Sequence, residues 1–129
     1  MKRPGDLLFR EIPVIRVMRV TSDFFVSALI RRVFSSGGFA AVERKGATEA
    51  GAVFLRQRFR DGLETLYGPA PQSFFEERGE DRLFEIRAER AEPEAIAEII
   101  ARESRFDSDL WVVELEVEDV AGLVETAPA

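Results

Sequence analysis

The stretch "AVFLRQRFRDGLETLY" (residues 52–67) holds two strand-like runs that meet at an Asp-Gly pair, residues 61–62. Asp-Gly between such runs is a strong hairpin signal, because the tight primed turns need positive φ at the loop positions. With these two residues as the loop, the cross-strand pairs are Arg56 with Tyr67 and Arg58 with Thr65. The stretch therefore predicts a hairpin with one core face and one basic, aromatic face.

Outward from the hairpin, the spacing of apolar residues predicts two helices and three more strands. One helix begins at Thr21 or Ser22 and ends near Ser36, and the other runs from Pro93 to about Arg105. The further strands are "FAAVERK", "RLFEIRAER" and "LWVVELEVE". We expect an α+β fold, a two-layer sandwich in which a mostly antiparallel sheet of about five strands carries both helices on one face.

The domain organisation follows from the length and the ends of the chain. At 129 residues the chain is long enough for one core and too short for two. Residues 1–17 carry two prolines and weak periodicity, so we expect a loosely held N-terminal extension. A single globular domain is expected over residues 18–120, followed by a frayed C-terminal tail over residues 121–129.

Composition excludes several kinds of chemistry. The chain contains no cysteine and no histidine, so thiolate or imidazole zinc sites, thiol nucleophiles and histidine bases are impossible. We expect no catalytic residue, no metal and no cofactor. No disulfide can form and no apolar run is long enough to span a bilayer, which favours a cytoplasmic protein without a membrane partner. The net charge of −6 disfavours nucleic acid, although the arginines leave weak RNA contact as a third idea.

The segment "LYGPAPQSFF" (residues 66–75) suggests a binding surface beside the hairpin. Its two prolines stiffen the chain, which lowers the entropy cost of ordering it for the fold or for a partner. One of Phe74 and Phe75 should anchor the segment on the core while the other stays partly exposed. The predicted surface consists of Arg56, Arg58, Tyr67, Pro69, Pro71 and Gln72.

The leading hypothesis is a non-enzymatic interaction module that uses this surface to bind a protein segment or a small anionic ligand. In the competing interpretation, the arginine stems cover apolar surface and pair with glutamates on neighbouring strands, such as Glu85 or Glu89. Self-association as a homodimer is also expected, because a small antiparallel sheet has two edges that are commonly covered or paired.

An alternative function is a carboxylate-based hydrolase, metal-dependent in one version. Asp107 and Asp109 in "FDSD" have a spacing that can hold a divalent cation, and the acidic loop 76–81 supplies further carboxylates. The two aspartates are equally suited to an Asx-turn between a helix and a strand. A convergent acid pair in a deep pocket would favour the enzyme.

Three stretches together resemble a known family: residues 21–56, residues 66–85 and the closing "FDSDLWVVELE" at 106–116. They are similar to a small alphaproteobacterial family catalogued only as a domain of unknown function. The resemblance covers roughly residues 18–118, and family members typically begin near the position of Met18. It implies a bacterial cytoplasmic protein and assigns no activity, substrate or cofactor.

Overall fold

A computed structural model of the chain describes residues 20–71 and 82–128. The expected N-terminal extension, residues 1–17, lies outside the described residues, as do Gln72, Phe74, Phe75 and the acidic loop 76–81.

Helix α1 (Ser22–Ser35) forms where the sequence predicted it. The Thr21 hydroxyl accepts a hydrogen bond from the Phe24 N–H at 3.2 Å, which satisfies one of the free donors of the first turn. The helix ends at Ser35, and Gly37, two residues later, has a φ of 94°, a left-handed conformation that stops the helix. Helix α2 (Pro93–Phe106) begins with proline at its first position, as expected. Neither of these helices, in the part of the chain that the structure describes, is long and apolar enough to cross a membrane.

Six strands form one mixed sheet in the order β1-β5-β2-β3-β4-β6. The strands are β1 (Phe39–Arg44), β2 (Val53–Arg58), β3 (Glu64–Pro69), β4 (Leu83–Ala91), β5 (Trp111–Glu116) and β6 (Glu125–Thr126). Neighbouring strands are antiparallel, except that β2 pairs with β5 and β4 with β6 in parallel. One edge of the sheet is therefore β1, and the other is the two-residue β6.

The α+β class with a mostly antiparallel sheet is confirmed, but the two helices lie on opposite faces rather than on one. On the α1 face, Val26, Leu29 and Val33 belong to one core cluster with Val53, Leu55, Trp111, Val113 and Leu115. On the α2 face, Ile96 packs with Phe54, Leu66, Leu110 and Val112. Consecutive strand residues such as Phe54 and Leu55 point to opposite sides of a sheet, so the two clusters are separated by it.

The chain connectivity explains why α2 takes the second face. Both β2 and β4 run antiparallel to β3, and β5 runs parallel to β2, so β4 and β5 are parallel. Helix α2 is consequently the crossover between two parallel strands, and such connections are almost always right-handed. The handedness of this crossover therefore determines which face of the sheet α2 covers, and the apolar stripe of the helix does not.

Residues 121–126, which belong to the tail expected to fray, are part of the fold. Ala121 and Val124 form an isolated bridge, and β6 pairs with the start of β4. Leu123 packs against the core on the α1 face, and its carbonyl accepts a hydrogen bond from Arg32 Nη2 at 2.8 Å. These contacts tie the segment to α1.

Candidate functional site

The loop of the central hairpin contains three residues, one more than expected. The Phe59 N–H donates to the Leu63 carbonyl, and the Gly62 N–H donates to the Phe59 carbonyl, each at 3.0 Å. Gly62 has a φ of 91°, but the two-residue type I′ turn needs positive φ at Asp61 as well. Arg90 is the one described non-glycine residue with positive φ. The pairing register therefore shifts by one residue.

This shift separates the residues of the predicted binding surface. The observed pairs are Leu55 with Tyr67, Arg56 with Leu66, Gln57 with Thr65 and Arg58 with Glu64. Side chains alternate between the two faces of a sheet. When the pairing of two strands shifts by one residue, the side chains of one strand therefore change faces relative to those of the other. The expected pairing of Arg56 with Tyr67 is wrong: Arg56 lies on the α2 face and Tyr67 on the α1 face.

Tyr67 is a core residue rather than a surface stacking partner. Its side chain lies in the α1-face cluster, and its hydroxyl donates to Gln57 Oε1 at 3.1 Å. Gln57 in turn donates from Nε2 to the Val117 carbonyl at 2.9 Å. Burial raises the pKa of the Tyr67 hydroxyl above its ordinary value of 10.0, and the negative charges of Asp119 and Glu89 raise it further. The hydroxyl stays protonated and links β3 to β2.

The Arg56 guanidinium is buried, and each of its three nitrogens donates a hydrogen bond. It donates from Nε to Glu64 Oε1 at 2.6 Å, from Nη1 to Glu43 Oε2 at 2.9 Å and from Nη2 to the Pro93 carbonyl at 3.3 Å. Burial alone would lower the pKa of Arg56, but the hydrogen bond and charge of Glu64, together with Glu43, raise it overall. Arg56 thus joins three elements: β1, β3 and the start of α2.

Arg58 is also paired with carboxylates. Its Nε lies 3.3 Å from Glu64 Oε2, and its Nη1 lies 3.2 Å from Glu114 Oε2. We call Arg56, Arg58, Glu43, Glu64 and Glu114 the charge network. Its existence agrees with the interpretation in which arginines pair with glutamates on neighbouring strands, although the partners differ from Glu85 and Glu89. Since three carboxylates surround two guanidiniums, the network offers no excess positive charge to an anion.

The remaining predicted residues do not complete a surface with the arginines. Pro69 ends β3 opposite Phe84, and its carbonyl accepts a hydrogen bond from Arg87 Nη2 at 2.7 Å. Pro71 is exposed, and Gln72 lies outside the described residues. The structure places Arg56 and Arg58 together and separates both from Tyr67.

The two aspartates of "FDSD" form an Asx-turn. Asp107 Oδ1 accepts a hydrogen bond from the Asp109 N–H at 3.0 Å, and both residues are exposed. Within residues 20–71 and 82–128, no three acidic side chains are placed to hold a metal ion. Among the described residues, the acid pair in a deep pocket that would favour the hydrolase is not found.

The sequence predicted β1 as a strand, but its position at an edge of the sheet is a feature that sequence reasoning missed. No strand among the described residues pairs with its outer side. Phe34, Phe39 and Val42 are 51%, 43% and 42% exposed, and the rings of Phe34 and Phe39 meet edge to face with centroids 5.7 Å apart. We call these three residues the β1 edge patch. Its sequence signal was "FAAVERK", which starts with four apolar residues instead of alternating.

The two charged residues at the end of β1 point away from the open edge. Glu43 reaches inward to Arg56 across β5, and Arg44 donates from Nε to the Leu110 carbonyl at 3.2 Å and from Nη2 to the Ser108 carbonyl at 3.0 Å. A register irregularity between Val42 and Arg44 ends the regular edge there. Residues 39–42 therefore present backbone groups flanked by apolar side chains.

Two clefts are the other candidate sites. One, of about 770 Å³, lies at the ends of β2 and β5 and contains Arg58, Arg60, Glu116, Glu118 and Asp119. The other, of about 650 Å³, lies between α1 and residues 121–126 and is mostly apolar. The first cleft therefore mixes arginines with carboxylates, whereas the second offers mainly apolar surface.

Solved structures from two alphaproteobacteria share this fold. A solution structure of an A. tumefaciens protein matches with a TM-score of 0.78 and 56% identity, covering 87% of this chain and 98% of that one. A crystal structure of a DUF1491 family protein from Caulobacter crescentus CB15 has a TM-score of 0.69 and 29% identity, covering 84% and 98%. An NMR structure of a DUF1491 family protein from the same organism has a TM-score of 0.69 and 31% identity, covering 84% and 97%.

These similarities confirm the resemblance that the sequence motifs indicated. No curated protein matches the chain. The model of a family described as "Protein of unknown function (DUF1491)" matches residues 20–125, which is most of the chain. The chain therefore belongs to the DUF1491 family.

Proposed function

We propose that this protein is a non-enzymatic interaction module that binds an extended protein segment as an added strand on β1. The observation that carries the proposal is the open edge at residues 39–42, with Glu43 and Arg44 turned away from it. An unpaired edge presents backbone N–H and C=O groups that an extended chain can satisfy, while neighbouring side-chain pockets give specificity. Natural proteins commonly protect such edges with outward charges, which this stretch lacks.

The β1 edge patch supplies the apolar contacts that strand addition needs. The rings of Phe34 from α1 and Phe39 from β1 meet at the start of the edge, and Val42 adds apolar surface further along it, on the α1 face. Apolar area removed from water contributes about 25 cal/mol per Å², so a few buried side chains stabilise a complex substantially. The scaffold behind the edge is firm, because β5, the neighbour of β1, has both of its faces in core clusters.

A small anion is a poorer occupant of this protein. Arg56 and Arg58, the arginines expected to bind it, already pair with Glu43, Glu64 and Glu114. A protein partner therefore has more support than an anionic metabolite. The absence of cysteine from the whole sequence also supports a bacterial cytoplasm as the site of action, since the fold depends on no disulfide.

The proposal is tested by selecting a library of random displayed peptides on the immobilised protein and mapping the binders by amide hydrogen exchange. We expect bound peptides to slow exchange in residues 39–42. Val42→Lys should abolish binding. Ile86→Lys is the matched control, because Ile86 is a 46% exposed residue of β4, which is separated from β1 by three other strands and lies next to the opposite edge. Binders that protect other residues, or that tolerate Val42→Lys, would overturn the proposal.

A further inference from the structure

We infer that the segment bound at β1 alternates apolar residues with arginine or lysine, an inference that rests on the proposed strand addition. Side chains of an added strand alternate between the two faces of the sheet, as they do in every strand. The two faces beside β1 differ in chemistry, so the partner's alternate positions meet different surroundings.

The α1 side of the edge is apolar. Ala40 and Val42 share the face of the α1 core cluster, to which Ala40 belongs, and they pair with Leu115 and Val113 of β5. Beside them, the ring of Phe34 projects from α1 and contacts Phe39. Every second side chain of an added strand would therefore lie against apolar surface.

The α2 side of the edge consists of Phe39 and Ala41, and the residues behind these two are acidic. Phe39 pairs with Glu116 and Ala41 with Glu114, so two carboxylates of β5 lie directly behind β1. Glu43 adds a third carboxylate, 33% exposed in its side chain. Because α2 packs through Ile96 on Phe54, Leu66 and Val112, it covers another part of this face.

The charges on this side do not balance. The four carboxylates of Glu43, Glu64, Glu114 and Glu116 outnumber three guanidiniums, those of Arg56, Arg58 and Arg44, and Arg44 donates to the Leu110 and Ser108 carbonyls. Glu116 forms no ion pair with any described residue. Ala41 has only a methyl group between the open edge and Glu114, which leaves room for a long side chain from outside. Arginine fits this position best. Its planar guanidinium can form two hydrogen bonds to a carboxylate, and its aliphatic chain is long enough to reach across one strand.

The same charges disfavour a second copy of this chain as the occupant. Antiparallel pairing of two β1 strands would bring two sets of Glu43 and Glu116 together, and each chain carries a net charge of −6. Like charges that face each other across an interface weaken it. A basic alternating segment replaces that repulsion with attraction.

The test compares three capped eight-residue peptides that alternate valine with arginine, with serine or with glutamate. At low salt we expect the valine–arginine peptide to bind about tenfold more tightly than the valine–serine peptide, and the valine–glutamate peptide not to bind. The difference should shrink as salt screens the charges. Glu116→Gln should reduce the arginine preference, and Glu98→Gln, an exposed change on α2, should not.

The outcomes separate this inference from the function on which it rests. Equal affinity of the arginine and serine peptides, with residues 39–42 protected from exchange, would refute the inference and keep strand addition. No protection of residues 39–42 by any of these peptides or by the library would overturn both. Sedimentation of the protein alone as a dimer protected at residues 39–42 would identify a second copy as the occupant and refute the basic partner.

Discussion

Arg56 and Glu64 face each other diagonally across β2 and β3, with Nε 2.6 Å from Oε1 and both side chains less than one-tenth exposed. This pair lies on the α2 face, beside the first turn of α2, whose Pro93 carbonyl also accepts from Arg56. An arginine so placed holds the sheet and the helix together and is withdrawn from ligand binding.

Replacing Arg56 should destabilise the fold. Arg56→Ala leaves the buried Glu64 without its closest cation, and breaking such a pair costs about 3–5 kcal/mol. Urea unfolding at neutral pH measures the loss. Arg60→Ala is the control, since Arg60 is exposed and forms no ion pair with the described residues, and it should change the free energy of unfolding by less than about 0.5 kcal/mol. Equal stability of the two variants would refute the structural role of Arg56.

Tyr67 should titrate above the ordinary tyrosine range. It is the only tyrosine in the chain, so the ultraviolet absorbance of tyrosinate reports this residue alone. Because the folded protein raises its pKa, the folded state holds the proton more tightly than the unfolded state, and stability should fall as pH rises above about 10. In denaturing urea the midpoint should return to about 10. A native midpoint at or below that value would contradict the burial of the Tyr67 hydroxyl.

Gly62 should resist substitution by a branched residue. Its φ of 91° lies in the left-handed region, and a side chain there would meet no neighbour within 4 Å, so the cost is conformational. Gly62→Val should destabilise the protein by about 1–2 kcal/mol, and Gly62→Asn by less, because asparagine tolerates positive φ. Thermal unfolding of the two variants measures the difference. A valine variant as stable as the asparagine variant would contradict the left-handed conformation of Gly62.

Substitution of Gly46 or Gly51 should also destabilise the protein, but for a steric reason. A Cβ atom at either position would overlap the backbone oxygen of Asp109, far inside van der Waals contact. Gly46→Ala and Gly51→Ala should each cost about 1–3 kcal/mol or more, because backbone cannot move aside cheaply. Ala50→Ser, an exposed change in the same loop, is the control and should leave the melting temperature unchanged. Wild-type stability in both alanine variants would show that this loop does not pack on the 107–110 turn.

Divalent cations should leave the melting temperature unchanged. Asp107 uses its carboxylate in the turn to Asp109, and no group of three acidic side chains among the described residues is placed to hold a metal. A ligand selective for the folded state must raise the melting point, so the assay is a thermal scan with magnesium, manganese or calcium at about 1 mM. A shift of several degrees, abolished by Asp107→Asn, would revive the hydrolase alternative.

Local signals predicted the elements well and the candidate site poorly. Helix α1 is defined by local features: Thr21 before it, the apolar spacing from Val26 to Val33, and Gly37 after it. These features act within a few residues of each other, so they do not depend on the rest of the fold. The hairpin between β2 and β3 was also predicted from a local signal, the Asp61-Gly62 pair. Its register, however, depends on whether Asp61 adopts a positive φ, which the residue types alone do not decide. That single difference moved Tyr67 from the predicted surface into the core.

The sequence by itself determined the α+β class, both helices, the strands β1 to β5 and the exclusion of thiol and imidazole chemistry, because these follow from short-range periodicity and residue counts. It did not predict β6. Only the tertiary structure decided which strands are neighbours. By inserting between β1 and β2, β5 brings Glu43 to Arg56, contributes to both core clusters and leaves β1 as an edge that no other described strand pairs with. Strand order depends on pairing between strands that are distant in sequence and on the handedness of the crossover. Local periodicity carries no information about either.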